Sequence, residues 1–398
     1  MPGQQLDSEE AARRLGVKVS TLYAYVSRGL LTPERAPGSR RSLFALEDVE
    51  RLAGRSRSAR PVEGRLASVV TAVTHLGPEG PAYRGVPATS LAGTTPYEEV
   101  AELLWASGPV RWDPAPLDHP PPELPAGDVM FWAAVMAGAA DPVRSDLRPE
   151  AVARAAARLI ATVVEALPGP EPGRAPDPVG APGGPVTIAR RVASKLSADP
   201  TPVLVDVVNA ALVILADHEL ATSTVAVRVA ASTRADLYDA VLAGLATMAG
   251  PLHGGASPLA HQFLVRAATD GVERAVDEAL RWQGHLPGFG HAVYRDGDPR
   301  APVLLECFER LADDHQRRLV DRLLEMARAH ELPLPNVDLA LAALTYAGGL
   351  APDAGRTLFA LARMAGWAAH YMEELGERPL RFRVRAVYSG EPTAPRRR

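Results

Sequence analysis

Apolar residues recur at three- and four-residue intervals along most of the chain, a periodicity that suits helices and little else. Val100 to Trp105, Ala151 to Leu167, Val203 to Ala216, Leu237 to Met248, Arg318 to Arg328, Leu339 to Tyr346 and Thr357 to Leu375 each place an apolar stripe on one helical face. Runs of alternating β-branched residues are scarce, which argues against a large sheet. Pro168 to Pro185, with seven prolines and five glycines, reads as an exposed loop between helices. With 398 residues and a 47% hydrophobic share, the chain has room for two or three domains with a real core. The expected fold class is all-α.

The first sixty residues differ from the rest in charge. They hold 11 Lys+Arg against 7 Asp+Glu, a net of +4, while the whole chain carries −4. Ser8 is placed to cap a helix with Ala11, Ala12 and Leu15 on its apolar face and Gly16 at its end. Ser20 is placed to cap a second helix, Thr21 to Arg28, with Leu22 and Val26 on one side. A Pro/Gly stretch, Thr32 to Gly38, and the basic pair Arg40-Arg41 precede a short strand at Ser42 to Phe44. A third helix is expected over Ala45 to Leu52, and Arg55 to Pro61 reads as a linker. Two short helices joined by a tight turn, then a basic hairpin, form the layout of a winged helix-turn-helix. The segment EEAARRLGVKVSTLYAYVSRGLL resembles the DNA-binding heads of MerR-like regulators and phage excisionases. Lys18, Ser20, Thr21, Tyr23 and Tyr25 are the candidate readers, and Arg40 and Arg41 suit phosphate contacts. A helical appendage kept for packing or dimerisation is the competing reading.

Other classes are excluded more simply. The near-balanced charge provides no overall field for nucleic acid or an anionic membrane. One cysteine, Cys307, permits no internal disulfide and no zinc site with several thiolates, so no metal is expected. The N-terminus carries acids where a signal peptide needs an apolar run, and no stretch of eighteen uncharged apolar residues occurs, so a cytoplasmic location is expected.

Three histidines stand in glycine- or acid-rich settings: Asp217-His218-Glu219, Gly250-Pro-Leu-His253-Gly-Gly255 and Gly288-Phe-Gly-His291. Glycine lets backbone turn tightly and lets a ligand approach, and imidazole titrates near neutral pH. Arg295 and Arg300 follow His291, a cationic cluster suited to an anionic substrate and a carbonyl to be polarised. Asp338 opens an apolar helix after Asn336, where a general base would be held rigidly. Each feature alone has an ordinary reading, as a turn histidine, an N-cap aspartate or a surface arginine. His75, His119, His261, His285, His315, His330 and His370 read as structural or exposed.

In order along the chain, Ala82 to Gly85 with Tyr97 to Ala101, ALVILADHELATSTVAVRVAAST, GLATMAGPLHGGA, LPGFGHAVYRDGDPRA, PNVD and RMAGWAAHYMEE resemble citrate synthase, the family that condenses acetyl-CoA with oxaloacetate. The likeness spans about residues 66–390. It implies an acyltransferase in which His253 hydrogen-bonds the thioester oxygen, Asp338 removes the methyl proton and His291 polarises and protonates the keto carbonyl. It implies that His218, Arg300 and Arg363 hold the oxaloacetate carboxylates, joined by an arginine of the partner subunit. Arg383 is the choice for that arginine, with Arg385 the alternative, and Arg295 is implied at the CoA phosphates. No tightly bound cofactor is implied, since the CoA thioester is a substrate.

The same resemblance implies a helix-turn-helix head over 1–60, a large helical domain over 61–256 with 350–390, a small helical domain over 257–349, and a basic tail at 391–398, in a homodimer. The chain departs from the family where Leu220, Ala221 and Thr222 replace a common asparagine, which points to a different keto acid as one alternative. It departs again at Val384, where the family commonly has proline between two arginines. Two further alternatives are a 2-methylcitrate synthase acting on propionyl-CoA, and a DNA-binding regulator that uses the synthase body as a metabolite sensor.

Overall fold

A computed structural model describes residues 5–15, 17–27, 30–35, 42–46, 48–49, 69–169 and 186–383, in two units divided after Val69. In the first unit β1 (Gln5–Asp7), β2 (Glu34–Arg35) and β3 (Ser42–Ala45) form a three-stranded antiparallel sheet in the order β1-β3-β2. Leu6 pairs with Phe44 in that sheet. Both side chains enter a small core with Ala11, Ala12, Leu22, Leu31 and Val49. Two helices cover it, α1 (Ser8–Leu15) and α2 (Val19–Ser27).

Local chemistry moves several expected boundaries. Asp7, not Ser8, caps α1: its Oδ1 accepts the backbone N–H groups of Glu9 at 3.0 Å and Glu10 at 2.8 Å. Helix α2 starts at Val19, before the expected Ser20 cap, because the Lys18 carbonyl already accepts from Thr21 and Leu22. Ala45 ends a strand, and the expected third helix follows it, with Leu46, Asp48 and Val49 helical. Gly16, Arg28, Gly38, Arg40, Arg41 and the Arg55 to Pro61 linker lie outside the described residues, as do most of the Pro168 to Pro185 loop, Arg385 and the 391–398 tail.

The second unit starts with a three-stranded antiparallel meander, β4 (Thr74–Gly77), β5 (Gly80–Tyr83) and β6 (Val86–Pro87). The elements that follow in the described chain are helices: α3 (Ala88–Leu91), α4 (Tyr97–Trp105), α5 (Ala126–Ala139), α6 (Pro149–Ala166) and α7 (Ile188–Leu196) come first. Then come α8 (Pro202–Leu215), α9 (Thr222–Ser232), α10 (Leu237–Met248), α11 (Ala256–Asp270) and α12 (Val272–Gln283). Last are α13 (Arg300–Leu311), α14 (Asp314–Ala329), α15 (Val337–Ala347) and α16 (Ala354–Leu375). Pro202 and Pro149 sit in the first turns of α8 and α6, where a missing N–H removes no helical bond.

Helix α16 organises this unit. From Ala360 to Tyr371 every side chain is buried, the pattern of a helix surrounded by protein on all sides. Its small residues let α8, α9 and α10 approach, and Trp367 fills the space between them with no exposure. Two distant aromatic groups are tied to its backbone. The Tyr97 hydroxyl reaches the carbonyls of Leu361 and Ala362 at 3.0 Å, and the Trp105 indole donates to Ala365 at 2.9 Å. Those buried polar tips are therefore satisfied, and each ring contributes roughly 1.5–3 kcal/mol through burial of its apolar surface. No helix among the described residues is long and apolar enough to cross a membrane.

Candidate active site

His218 lies in the turn that ends α8. Glu219 takes a left-handed φ of 54°, and its N–H donates to Asp217 Oδ2 at 3.0 Å, so the chain folds around the Asp217 carboxylate and presents the imidazole at the apex. The His218 Nε2 meets the Tyr294 hydroxyl at 3.2 Å. Burial, reinforced by the charges of Arg300 and Arg363 and by His291, holds the His218 pKa well below its ordinary value and keeps the ring neutral.

The His291 loop is built against the Asp338 helix. Gly288 has φ 82°, and a Cβ there would lie 2.7 Å from Leu339 Cβ. That close approach lets Asn336 N–H reach the Gly288 carbonyl at 2.9 Å and the Asn336 side-chain amide reach the Gly290 carbonyl at 2.7 Å. His291 Nδ1 accepts the backbone N–H groups of Val293 at 3.0 Å and Tyr294 at 3.2 Å, so the ring proton sits on Nε2. That nitrogen lies 3.3 Å from Arg300 Nη2. Two donors thus converge on one point, an arrangement that suits a carbonyl or carboxylate oxygen. Burial, then Arg300, lowers the His291 pKa. Tyr294 stacks on the ring, with centroids 4.9 Å apart, and His218 meets it edge-on at 5.5 Å.

Arg300 opens α13 and is held by both oxygens of Asp298, at 2.9 and 2.8 Å. Asp298 Oδ2 also accepts the N–H of Val337 at 3.0 Å, which locks the guanidinium to the start of α15. The cap of α15 is Asn336, whose Oδ1 accepts from Asp338 and Leu339, so the ordinary reading of Asp338 as an N-cap does not hold. The Asp338 carboxylate is left without a hydrogen bond or ion pair among the described residues. Burial pushes its pKa up to about 6, with Arg300 opposing and Asp298 adding. A carboxyl titrating there can give and take a proton near neutral pH.

His253 occupies the turn between α10 and α11. The Gly254 N–H donates to Met248 and Gly250, and a Cβ at Gly254 would lie 2.3 Å from the Met248 carbonyl oxygen. The His253 Nε2 is 2.8 Å from Ser223 Oγ, which lies 3.3 Å from the Trp367 indole nitrogen. Indole only donates, so Trp367 takes one lone pair of Ser223, whose own proton can meet Nε2; with the proton placed so, His253 presents Nδ1–H outward. Burial, then Arg363, lowers the His253 pKa.

Arg363 lies on α16, 1% exposed; its Nε donates to the Leu215 carbonyl at 3.0 Å and its guanidinium faces the Phe359 ring at 4.8 Å. Nη2 is buried with no hydrogen-bond partner among the described residues and is available to an anion. Burial lowers its pKa to about 10, so it stays charged at neutral pH. His218, His291 and Arg300 therefore lie together around Tyr294, while Arg363 and His253 both face the Phe359 ring, at 4.8 and 6.3 Å. The charges of Arg300 and Arg363 act on His218 and that of Asp338 on Arg300.

Other expected residues stand apart. Arg295 is exposed and lines a cleft of about 240 Å³ with His291, Tyr294 and Leu334. Arg383 is exposed and makes no hydrogen bond or ion pair with this group within the described residues. A larger cavity, about 1060 Å³, is lined by Trp105, Arg148, Arg158 and Leu237 and contains none of these side chains. In the first unit Lys18 and Ser20 are exposed, Thr21 is half-buried and Tyr23 is exposed with its hydroxyl 3.0 Å from Ser8. Tyr25, expected as a reader, packs on the small core instead. Among the described residues no group of three or more His, Cys, Asp or Glu is placed to hold a metal.

Ser223, Tyr294, Asp298, Asn336 and Phe359 join the site without having been singled out by sequence pattern. Their types give no signal alone; only Tyr294 and Asp298 had one, through their place beside His291 and Arg300.

Residues 117–385 match the family Citrate synthase, C-terminal domain, and residues 8–42 match the MerR family regulatory protein family. The chain is 34% identical over 197 residues to Citrate synthase 2 of Bacillus subtilis (strain 168), an alignment covering 48% of this chain and 53% of that protein. It is 32% identical over 188 residues to 2-methylcitrate synthase 1 of Corynebacterium glutamicum, covering 45% of this chain and 48% of the other. The chain thus spans about half the length of the curated relatives it matches. Its fold is that of the citrate synthase of Thermoplasma acidophilum solved in ternary complex with carboxymethyl coenzyme A and oxaloacetate. The TM-score is 0.62 at 24% identity, over 85% of this chain and 97% of that one.

Proposed function

Because the chain belongs to the citrate synthase family, we propose that it condenses acetyl-CoA with oxaloacetate and hydrolyses the product to citrate and CoA, as an acyltransferase that converts the acyl group to alkyl. The observation that carries this reading is the Asp338 carboxylate, without a hydrogen bond or ion pair among the described residues and raised by burial to a pKa of about 6, on the helix that Asp298 ties to Arg300. In the proposed reaction Asp338 takes a methyl proton from acetyl-CoA while His253 Nδ1–H stabilises the enolate oxygen. The enol carbon attacks the keto carbon of oxaloacetate, and the carbonyl oxygen takes a proton from His291 Nε2. Arg300, Arg363 and His218 hold the carboxylates, joined by Arg383 of the opposing subunit in a homodimer. Water then cleaves the thioester and releases CoA thiol. Arg295 contacts the CoA phosphates in this scheme.

The division into a large helical domain, 61–256 with 350–390, and a small one, 257–349, belongs to the same proposal, with closure between them excluding water from the enol. The test is thiol release on adding oxaloacetate to full-length protein with acetyl-CoA or propionyl-CoA. Release with either is expected. Folded protein that releases none with both overturns the reading. A preference for propionyl-CoA marks the 2-methylcitrate alternative, to which the similarity to 2-methylcitrate synthase 1 also points.

A second reading, a DNA-binding regulator with the body as sensor, rests on the MerR match over residues 8–42 and the exposed Lys18 and Tyr23. A mobility shift with promoter DNA, with and without oxaloacetate, is its test. No shift at low salt removes it.

A further inference from the structure

His370, on α16, has no exposure and makes two hydrogen bonds that fix its tautomer. Its Nδ1 lies 2.9 Å from Arg228 Nη1 and its Nε2 lies 3.2 Å from Asp217 Oδ2. An arginine only donates, so Nδ1 must accept and the ring proton must point from Nε2 to the aspartate. Arg228 is held in that orientation by the buried Glu374, which accepts from its Nε at 2.9 Å, and by the partly buried Glu373, which accepts from the same Nη1 at 2.6 Å.

Asp217 passes this constraint on to two neighbours. Its Oδ2 also accepts the Glu219 N–H, which closes the left-handed turn carrying His218. Its charge is the main one favouring protonated Arg363 against burial. Helix α16 meets this carboxylate at Gly366, whose N–H donates to the Ala216 carbonyl at 3.0 Å and where a Cβ would lie 2.2 Å from Asp217 Oδ1. Burial works against the ionised carboxylate, yet His370 and Arg363 hold its pKa below the ordinary value.

We propose that Asp217 and His370 are a positioning pair for the keto-acid side of the site: the imidazole fixes the carboxylate, and the carboxylate closes the turn that presents His218. Neither group touches substrate. The inference rests on the condensing reading of the site, and its test separates the two.

His370→Leu removes the donor; His370→Gln keeps an N–H where Nε2 stands and an oxygen to accept from Arg228. In full-length protein, His370→Leu is expected to raise the oxaloacetate KM about tenfold or more, the size of a lost buried hydrogen bond to a charge, with the acyl-CoA KM within about twofold. His370→Gln is expected to restore most of that loss. A folded His370→Leu protein with an unchanged oxaloacetate KM overturns the pairing, as does a His370→Gln protein equally impaired. Wild type without thiol release would instead overturn the condensing reading. In that case ¹⁵N-histidine NMR of the full chain still decides the pairing: a His370 ring protonated at Nε2 and bare at Nδ1 supports it, and a proton on Nδ1 overturns it.

Discussion

The side of the site proposed to face carboxylates is tied into the fold by charge and by backbone, whereas the side proposed to remove a proton stands nearly free of such ties. Arg300 is gripped by Asp298, His218 is presented by a turn closed on Asp217, and Arg363 is anchored to the Leu215 carbonyl. Among the described residues Asp338, the residue after the Val337 that Asp298 binds, has no ion-pair partner, and the side-chain hydrogen bond of His253 goes to Ser223. The difference has a physical reason. A pocket that binds anions needs cations fixed in place before the ligand arrives, while a base keeps its basicity only if nothing neutralises it.

Breaking the free side is expected to give the largest effect. Asp338→Asn should lower kcat by about a thousandfold, within the usual span for losing a general base, and leave the oxaloacetate KM within about twofold. Steady-state thiol release measures both. Breaking the tied side should show the reverse split. Arg363→Gln is expected to raise the oxaloacetate KM by roughly thirtyfold, the cost of a charged hydrogen bond, with a smaller change in kcat. Ser223→Ala deletes the hydroxyl that orients His253 and should cost about tenfold in kcat, with neither KM much altered.

The comparison also has a sign in stability. The Asp338 pKa rises from 3.8 unfolded to about 6 folded, so the folded state is penalised once pH passes the folded value and carries no such penalty below the unfolded one. Asp338→Asn should therefore melt higher than wild type at pH 8, with the gain vanishing near pH 4; calorimetry at the two pH values checks it. Smallest of all, Lys18→Glu with Tyr23→Ala in the first unit should leave thiol release within about twofold, since exposed positions away from a core contact tolerate change.

Much of this was legible in the chain itself. Helical periodicity placed the helix at Leu237–Met248 and came within a few residues of those at Pro149–Ala166 and Ala354–Leu375. Helix α12 escaped although Val272, Ala275, Val276 and Ala279 form a clean stripe, and β4 to β6 escaped because strands of two to four residues carry no usable alternation. The histidines and arginines of the site were visible through their glycine settings and their likeness to a family. Their supports were not. Ser223 is one serine among many until the fold sets it beside Trp367, and His370 read as an ordinary structural histidine until Arg228 and Asp217 closed on it from distant stretches of sequence. Such partners are chosen by packing, which local pattern does not encode.

The central claim is that Asp338 removes the methyl proton, and exchange of that proton reads it without the later steps. Acetyl-CoA in D₂O with malate, which fills the keto-acid side but has no carbonyl to attack, should take up deuterium at its methyl group in the presence of wild-type protein. The rate should fall as pH drops through about 6. The Asp338→Asn protein should leave the methyl group undeuterated, and exchange at the wild-type rate in that variant would contradict the account.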